Sequence, residues 1–213
     1  MERNIGRVRP ITFDRLVAEL AGRIGDLPRE TRVRVAVDGA PGSGTAELAD
    51  ALVDPLRALG RDTVRVSARN YLRPASLRYE FGREDPDLFY DEWLDTAALL
   101  REVLAPLDPG GSGRVLPSLW DPDLDRATRA SYVRLSPGGI VLLDGPLLLG
   151  RWLPFELTVH LALSPAALAR RTSPAWTLPA YARHDREADP RGSADVVVKM
   201  DDPRHPALLS GTG

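Results

Sequence analysis

Along residues 11–25 (ITFDRLVAELAGRIG), Phe13, Leu16, Val17, Leu20 and Ile24 recur at helical spacing. The spacing predicts an amphipathic leading helix, ended by Leu27-Pro28. The period then shortens. In TRVRVAVDG, Val33, Val35 and Val37 alternate with Arg32 and Arg34 before a glycine cluster, which predicts a strand running into a tight turn. A helix is expected next, because AELADALVDPLRALG places Leu48, Leu52, Val53, Leu56 and Leu59 on one side and stops at Gly60. Pro55 is expected to kink it.

A second strand, TVRVSA, leads into the irregular stretch RNYLRPASLRYEFGRED, and a long helix is expected from about Pro86 to Leu104. DPGGSG at 108–113 reads as a turn, and RVLPSLWD through YVRL as two short strands around a polar loop. GGIVLLDG is almost wholly apolar and ends in an acid, the pattern of a central parallel strand buried on both faces. LTVHLAL and ADVVVKM read as further strands, with PAALARR and TLPAYARHDREA as helices between them. Strands alternating with helices predict an α/β fold, a doubly wound, mainly parallel five-stranded sheet flanked by helices in three layers. The 213 residues are read as one domain, with a leading helix in 1–30 and a core over 31–208.

Composition narrows the partners. A net charge of −2 gives no global positive field to recruit nucleic acid or an anionic membrane, so an anionic ligand must be caught locally. The absence of cysteine excludes disulfides, thiolate metal sites and a cysteine nucleophile. His160, His184 and His205 lack metal-ligand spacing. No apolar run has the length of a membrane span, and MERNIGRVRP lacks a signal-peptide core, so a cytoplasmic protein is expected. Of 28 Lys plus Arg, Lys199 is the single lysine and 28 − 1 = 27 are arginines.

The chemistry concentrates at Asp38-Gly39-Ala40-Pro41-Gly42-Ser43-Gly44-Thr45-Ala46, between a predicted buried strand and a helix. Gly39 and Gly44 occupy the fixed glycines of the phosphate-loop motif G-x-x-x-x-G-K-[ST], but Thr45 stands where the lysine belongs and Ala46 where the hydroxyl belongs. Main-chain N–H groups of Gly42 to Ala46 and the helix N-terminus retain the means to cradle an anion. The cation for the β/γ-phosphates and the direct magnesium ligand are gone.

With its glycine loop DGAPGSGT, the run YLRPASLRYEFGREDPDLFYDEW, the strand end VLLDG, the segment ALARRT and the tail ADVVVKMDDPRHP, the sequence resembles the uridine kinase family from about Arg32 to Leu208. The resemblance implies a P-loop NTPase-type fold, ATP with Mg2+ on the loop, a nucleoside-type substrate over segment 69–106 and a lid over 170–190. It also implies a catalytic acid just after the second strand, but Arg69 and Asn70 occupy those positions and neither is a carboxylate. Asp85 matches the family's ribose-binding aspartate and equally suits an N-cap ahead of Pro86. Asp144 matches an acid that holds magnesium through water, or closes a strand-end turn. Trp120-Asp121 falls at an aromatic-acid pair near the nucleoside base, with tryptophan equally a core anchor. Arg170 and Arg171 match the lid arginines that clamp phosphates, one of them suiting a solvated helix end. Arg73, Arg78 and Arg83 lie on the substrate side as anion receivers or surface residues.

Lysine, hydroxyl and acid are thus missing together, and each lost transition-state stabiliser costs about a hundred- to a thousandfold in rate. The expected function is a uridine kinase-like protein that binds a nucleoside- or nucleotide-type small molecule, with weak ATP/Mg2+ binding and weak or absent phosphoryl transfer. The alternative is an active nucleoside kinase in which Arg69 with Arg170 or Arg171 replaces the lysine and Asp38 or Asp144 organises magnesium. A nucleic-acid-binding protein is disfavoured for want of a basic face.

Overall fold

The computed structural model describes residues 8–209. One sheet is built from β1 (Val8–Pro10), β2 (Val33–Asp38), β3 (Thr63–Ser67), β4 (Ile140–Gly145), β5 (Leu157–Ala162), β6 (Val196–Lys199) and β7 (Ala207–Leu209). Their spatial order is β1-β7-β6-β5-β2-β4-β3. The five strands read from the apolar runs, β3, β4, β2, β5 and β6, are mutually parallel. Two edge strands of three residues each extend them: β7 pairs antiparallel with β6, and β1 antiparallel with β7.

Alternation along the central strands feeds two cores. Val33, Val35, Val37, Ile140, Leu142 and Val159 pack with the helices α1 (Phe13–Gly25) and α2 (Thr45–Ala58) on one face. Val66, Val141 and Leu143 pack with Tyr71, Leu99, Val103 and Leu104 on the other. The result is a three-layer α/β arrangement. Thr12 caps α1 by accepting from the Arg15 amide, Asp14 and Arg23 complement its dipole, and Leu16, Leu20 and Ile24 are buried. α2 continues through Pro55 to Ala58.

The long helix expected over 86–104 is broken. α3 (Pro86–Asp91) stops, Asp95 caps a new helical turn at Thr96–Leu99 by accepting from the Ala98 amide, and a wider π turn follows at Leu100–Leu104. The break has a tertiary cause: Leu94 bridges Leu72, the Arg73 amide donates to Trp93 O, and the Asp95 amide donates to Tyr71 O. The polar region beyond it forms two small ribbons, Arg114–Val115 with Val133–Arg134 and Trp120–Asp121 with Arg126–Ala127. α4 (Pro165–Arg171) and α5 (Leu178–Glu187) occupy the expected positions. Among the described residues no helix is long and apolar enough to cross a membrane.

Arginine does internal work in this fold. Arg61 is 2% exposed and faces four carbonyls, those of Gly138, Gly25, Leu27 and Pro28, joining the end of α1 to the turn before β4. Arg34, expected on a polar side, is buried instead and paired with Asp108 at 2.5 Å and with Glu156. A planar guanidinium with five donors can satisfy such acceptors together, which a lysine cannot.

Candidate functional site

β2, β3 and β4 lie side by side and all end at one rim, where open parallel sheets place their ligands. The glycine loop leaves β2 there and turns into α2. Gly44 precedes α2 at φ +94°, a left-handed conformation that glycine adopts without strain. At Gly39, a Cβ would lie 2.5 Å from the buried Ser43 Oγ and 2.9 Å from Leu161 O, so only glycine fits. The Ser43 amide donates inward to Ala40 O at 3.0 Å, which removes it from the expected anion cradle. The amides of Thr45 and Ala46 open α2, where no preceding turn supplies carbonyls. Gly42, Ser43, Gly44, Thr45 and Ala46 line a cleft of about 450 Å³ with Ser67, Arg69 and Asp144.

The carboxylates at the rim are already engaged. Asp144, 2% exposed, accepts from Arg65 Nε at 2.7 Å and from Arg65 Nη2 at 3.1 Å, one nitrogen on each oxygen. Arg65 also holds Asp50 at 2.7 Å. Burial pushes the Asp144 carboxyl above its usual range, and the Arg65 guanidinium offsets only part of that push. Arg65 itself is held above its usual value, chiefly by the hydrogen bond to Asp144. The two ends differ because the carboxylate is far more buried than the arginine, so desolvation prevails at Asp144. Asp38 is fully buried, accepts from the Leu148 amide at 2.8 Å and lies 2.7 Å from His160 Nδ1. Both acids that could organise magnesium therefore have protein partners.

Other predicted residues take structural positions. Arg171, expected to clamp phosphate, donates to Met200 O at 2.7 Å, Asp201 O at 2.5 Å and Gly42 O at 3.3 Å, tying the loop to the chain after β6. Arg170 is exposed at the end of α4. Asp85 caps α3, accepting from the Asp87 and Leu88 amides at 2.9 and 3.0 Å. Arg78 is buried, donates to Arg73 O and lies over the Tyr79 and Trp93 rings at 5.0 Å. Trp120 Nε1 donates to Asp125, and Asp121 accepts from the Asp123 and Leu124 amides, so this pair shapes the hairpin. Asp123 of that hairpin holds Arg69 at 2.5 Å. The Asn70 carbonyl accepts from the Leu119 amide. Arg73 pairs with Glu92, and Arg83 lies 5.4 Å from the Tyr79 ring. His184 Nε2 lies 3.0 Å from Leu149 O, and His205 Nδ1 lies 2.8 Å from Asp202. Among the described residues no group of three or more His, Cys, Asp or Glu is placed to hold a metal ion.

Two further clefts open beyond Pro41, lined largely by segment 69–106, where the resemblance set the substrate, and by segment 170–190. One, about 320 Å³, is lined mainly by Leu72, Phe89, Trp93, Leu94, Leu147 and Tyr181, with Arg69 and Arg151 as its charged residues. The other, about 480 Å³, shares Phe89, Trp93 and Tyr181 with it and adds Tyr79 and Trp176. Edge-to-face contacts of 5.1–5.9 Å link Phe89 to Trp93, Trp176 and Tyr181. Periodicity could not reveal this cluster, since its rings come from α3, the break after it and the segment 176–181.

Solved structures share this three-layer α/β arrangement. A protein described as a possible uridine kinase from Bacillus stearothermophilus superposes with a TM-score of 0.69 at 22% identity, covering 85% of this chain and 96% of that one. One described as a candidate fructose transport system kinase from a Silicibacter species gives 0.61 at 24%, over 86% and 95%. A D-glycerate 3-kinase from Cryptococcus neoformans gives 0.54 at 17%, over 82% and 80%. Neither a protein-family model nor a curated protein matches the sequence.

Proposed function

We propose that this chain is a uridine kinase-like P-loop protein that binds the phosphate of a nucleotide-type small molecule and transfers phosphoryl groups weakly or not at all. The observation that carries this reading is the bidentate engagement of Asp144 by Arg65 beside a loop bearing Thr45 and Ala46. The cleft suits a phosphate: its amides, helix N-terminus and size of about 450 Å³ accommodate an anion. It does not suit magnesium, because Asp144 and Asp38 are engaged and Ala46 offers no oxygen from its side chain. Arg65 places a fixed positive charge where a metal would otherwise meet Asp144, and that charge belongs to the fold.

The chain's groups can hold and orient an anion, but among the described residues none is placed to receive the proton of an attacking hydroxyl. Arg69 and Asn70 stand after β3, and Asp85 is turned into its helix cap. The kinship with solved kinases, one described as a possible uridine kinase, supports ATP as the nucleotide to test first. The second reading, an active kinase using arginines for the lysine, now narrows to Arg69, which lines both the loop cleft and the apolar cleft. The test is a product assay with Mg·ATP against uridine, cytidine and small sugars. The proposal expects turnover far below the kinase range of about 1–100 per second. Turnover within that range, abolished by Arg69→Ala, establishes the second reading instead.

A further inference from the structure

The apolar cleft next to the loop is unlike a pocket for a sugar. Among its lining residues are Ala68, Leu72, Phe89, Trp93, Leu147 and Tyr181, and no carboxylate. Asp85, the residue expected to hold ribose hydroxyls, is not among them and has an oxygen committed to two helix amides. The charged groups that do line the cleft are both cations, Arg69 and Arg151.

Arg151 is the decisive one. Its Nε donates to Leu147 O at 2.5 Å and its Nη2 to Tyr90 O, while Nη1 has no protein partner among the described residues. Its guanidinium also lies 5.2 Å from the Tyr90 ring. No carboxylate reaches it within ion-pair distance among the described residues. The two acids whose charges it feels, Asp91 and Asp38, are engaged by Arg183 at 2.8 Å and by His160 at 2.7 Å. Burial disfavours its charged form. A half-buried cation facing an apolar cavity without a counter-charge is stabilised by any anion that enters. Tyr181, buried and shared by both clefts, adds a phenol that burial keeps protonated and able to donate.

We infer that this cleft binds a flat, mainly apolar molecule carrying one carboxylate, with the rings of Phe89, Trp93 and Tyr181 against its body and Arg151 against its anion. The inference deepens the proposed function by naming the class of the second ligand, and rests on it only for the neighbouring phosphate.

The test is calorimetry on the full chain with 3-phenylpropionate, 3-phenylpropionamide and uridine, each with and without ATP. The carboxylate is expected to bind at least tenfold more tightly than the amide, and uridine is expected not to displace it. Arg151→Gln, which keeps amide donors near the Leu147 and Tyr90 carbonyls, should bring the carboxylate down to the level of the amide. Equal binding of acid and amide, no binding of either at millimolar concentration, or displacement by uridine overturns the inference. So does an unchanged preference in a folded Arg151→Gln protein. Should that variant fail to fold, the acid-to-amide ratio on the unaltered protein decides alone. Phosphoryl transfer is scored separately on the same samples, so an active kinase refutes the proposed function without touching this ratio.

Discussion

Replacing Arg65 by alanine removes both donors from Asp144 and leaves a carboxylate with 3% side-chain exposure unpaired. Breaking a buried pair from one side costs about 3–5 kcal/mol. Arg65 retains 24% side-chain exposure, so water can enter the space it leaves, and a loss near the lower end, about 3 kcal/mol, is expected at pH 7.5. The pH dependence follows from direction. Asp144 already has a raised folded pKa because of burial, and Arg65 is the main influence lowering it. A raised carboxyl contributes stability that is present below its unfolded value and lost as pH rises through its folded value. Without Arg65 the folded value rises further, so the deficit of the variant should be greatest at neutral pH and shrink as the solution is acidified. Each pKa unit gained adds about 1.4 kcal/mol to that change. Urea unfolding at pH 7.5 and 5.0, variant against unaltered protein, reads both quantities. A second readout is magnesium: the freed carboxylate should let millimolar Mg2+ raise the melting temperature of the variant, with no such rise in the unaltered protein. A deficit below about 1 kcal/mol that does not vary with pH would refute the claim that Arg65 stands in for a metal at Asp144.

Other outcomes follow from single contacts. Arg61→Ala exposes four carbonyls to the loss of one donor group and should cost about 3 kcal/mol by urea unfolding, whereas a loss under 1 kcal/mol would show that water replaces it. Asp85→Ala should lower stability by about 1 kcal/mol, the worth of an N-cap, and leave the affinity for ATP unchanged by calorimetry. Thr45→Lys with Ala46→Ser should tighten Mg·ATP binding, while product should appear only when Arg69→Asp also restores an acid. Product from the double variant alone would show that the acid is dispensable.

Much of the sheet was legible because its central strands, such as IVLLDG, are apolar runs buried on both faces. The edge strands were not, since VRP and ALL carry too few residues to show a period. Asp95 before an apolar run is an N-cap signal that could have divided the 86–104 helix, but the pairing of Leu94 with Leu72 that requires the break is a tertiary contact. The missing loop residues Thr45 and Ala46 could be placed because glycine spacing fixes the register of the motif. Arg65 and Arg151 could not. Arg65 meets Asp144 79 residues away, and Arg151 meets Tyr90 61 residues away, and nothing local marks an arginine as internal. The same long reach lets Arg171 brace the carbonyls of Met200 and Asp201. The excess of arginine over lysine gains a physical meaning in these positions.

The central claim is that the loop cleft binds phosphate through main-chain donors and the helix N-terminus, without a metal. Calorimetric titration of ATP into the unaltered protein, once with 5–10 mM (about) MgCl2 and once with excess EDTA, tests it directly. The account predicts weak binding, with dissociation constants that agree within about threefold in the two buffers. Micromolar affinity in magnesium that collapses on chelation would contradict it.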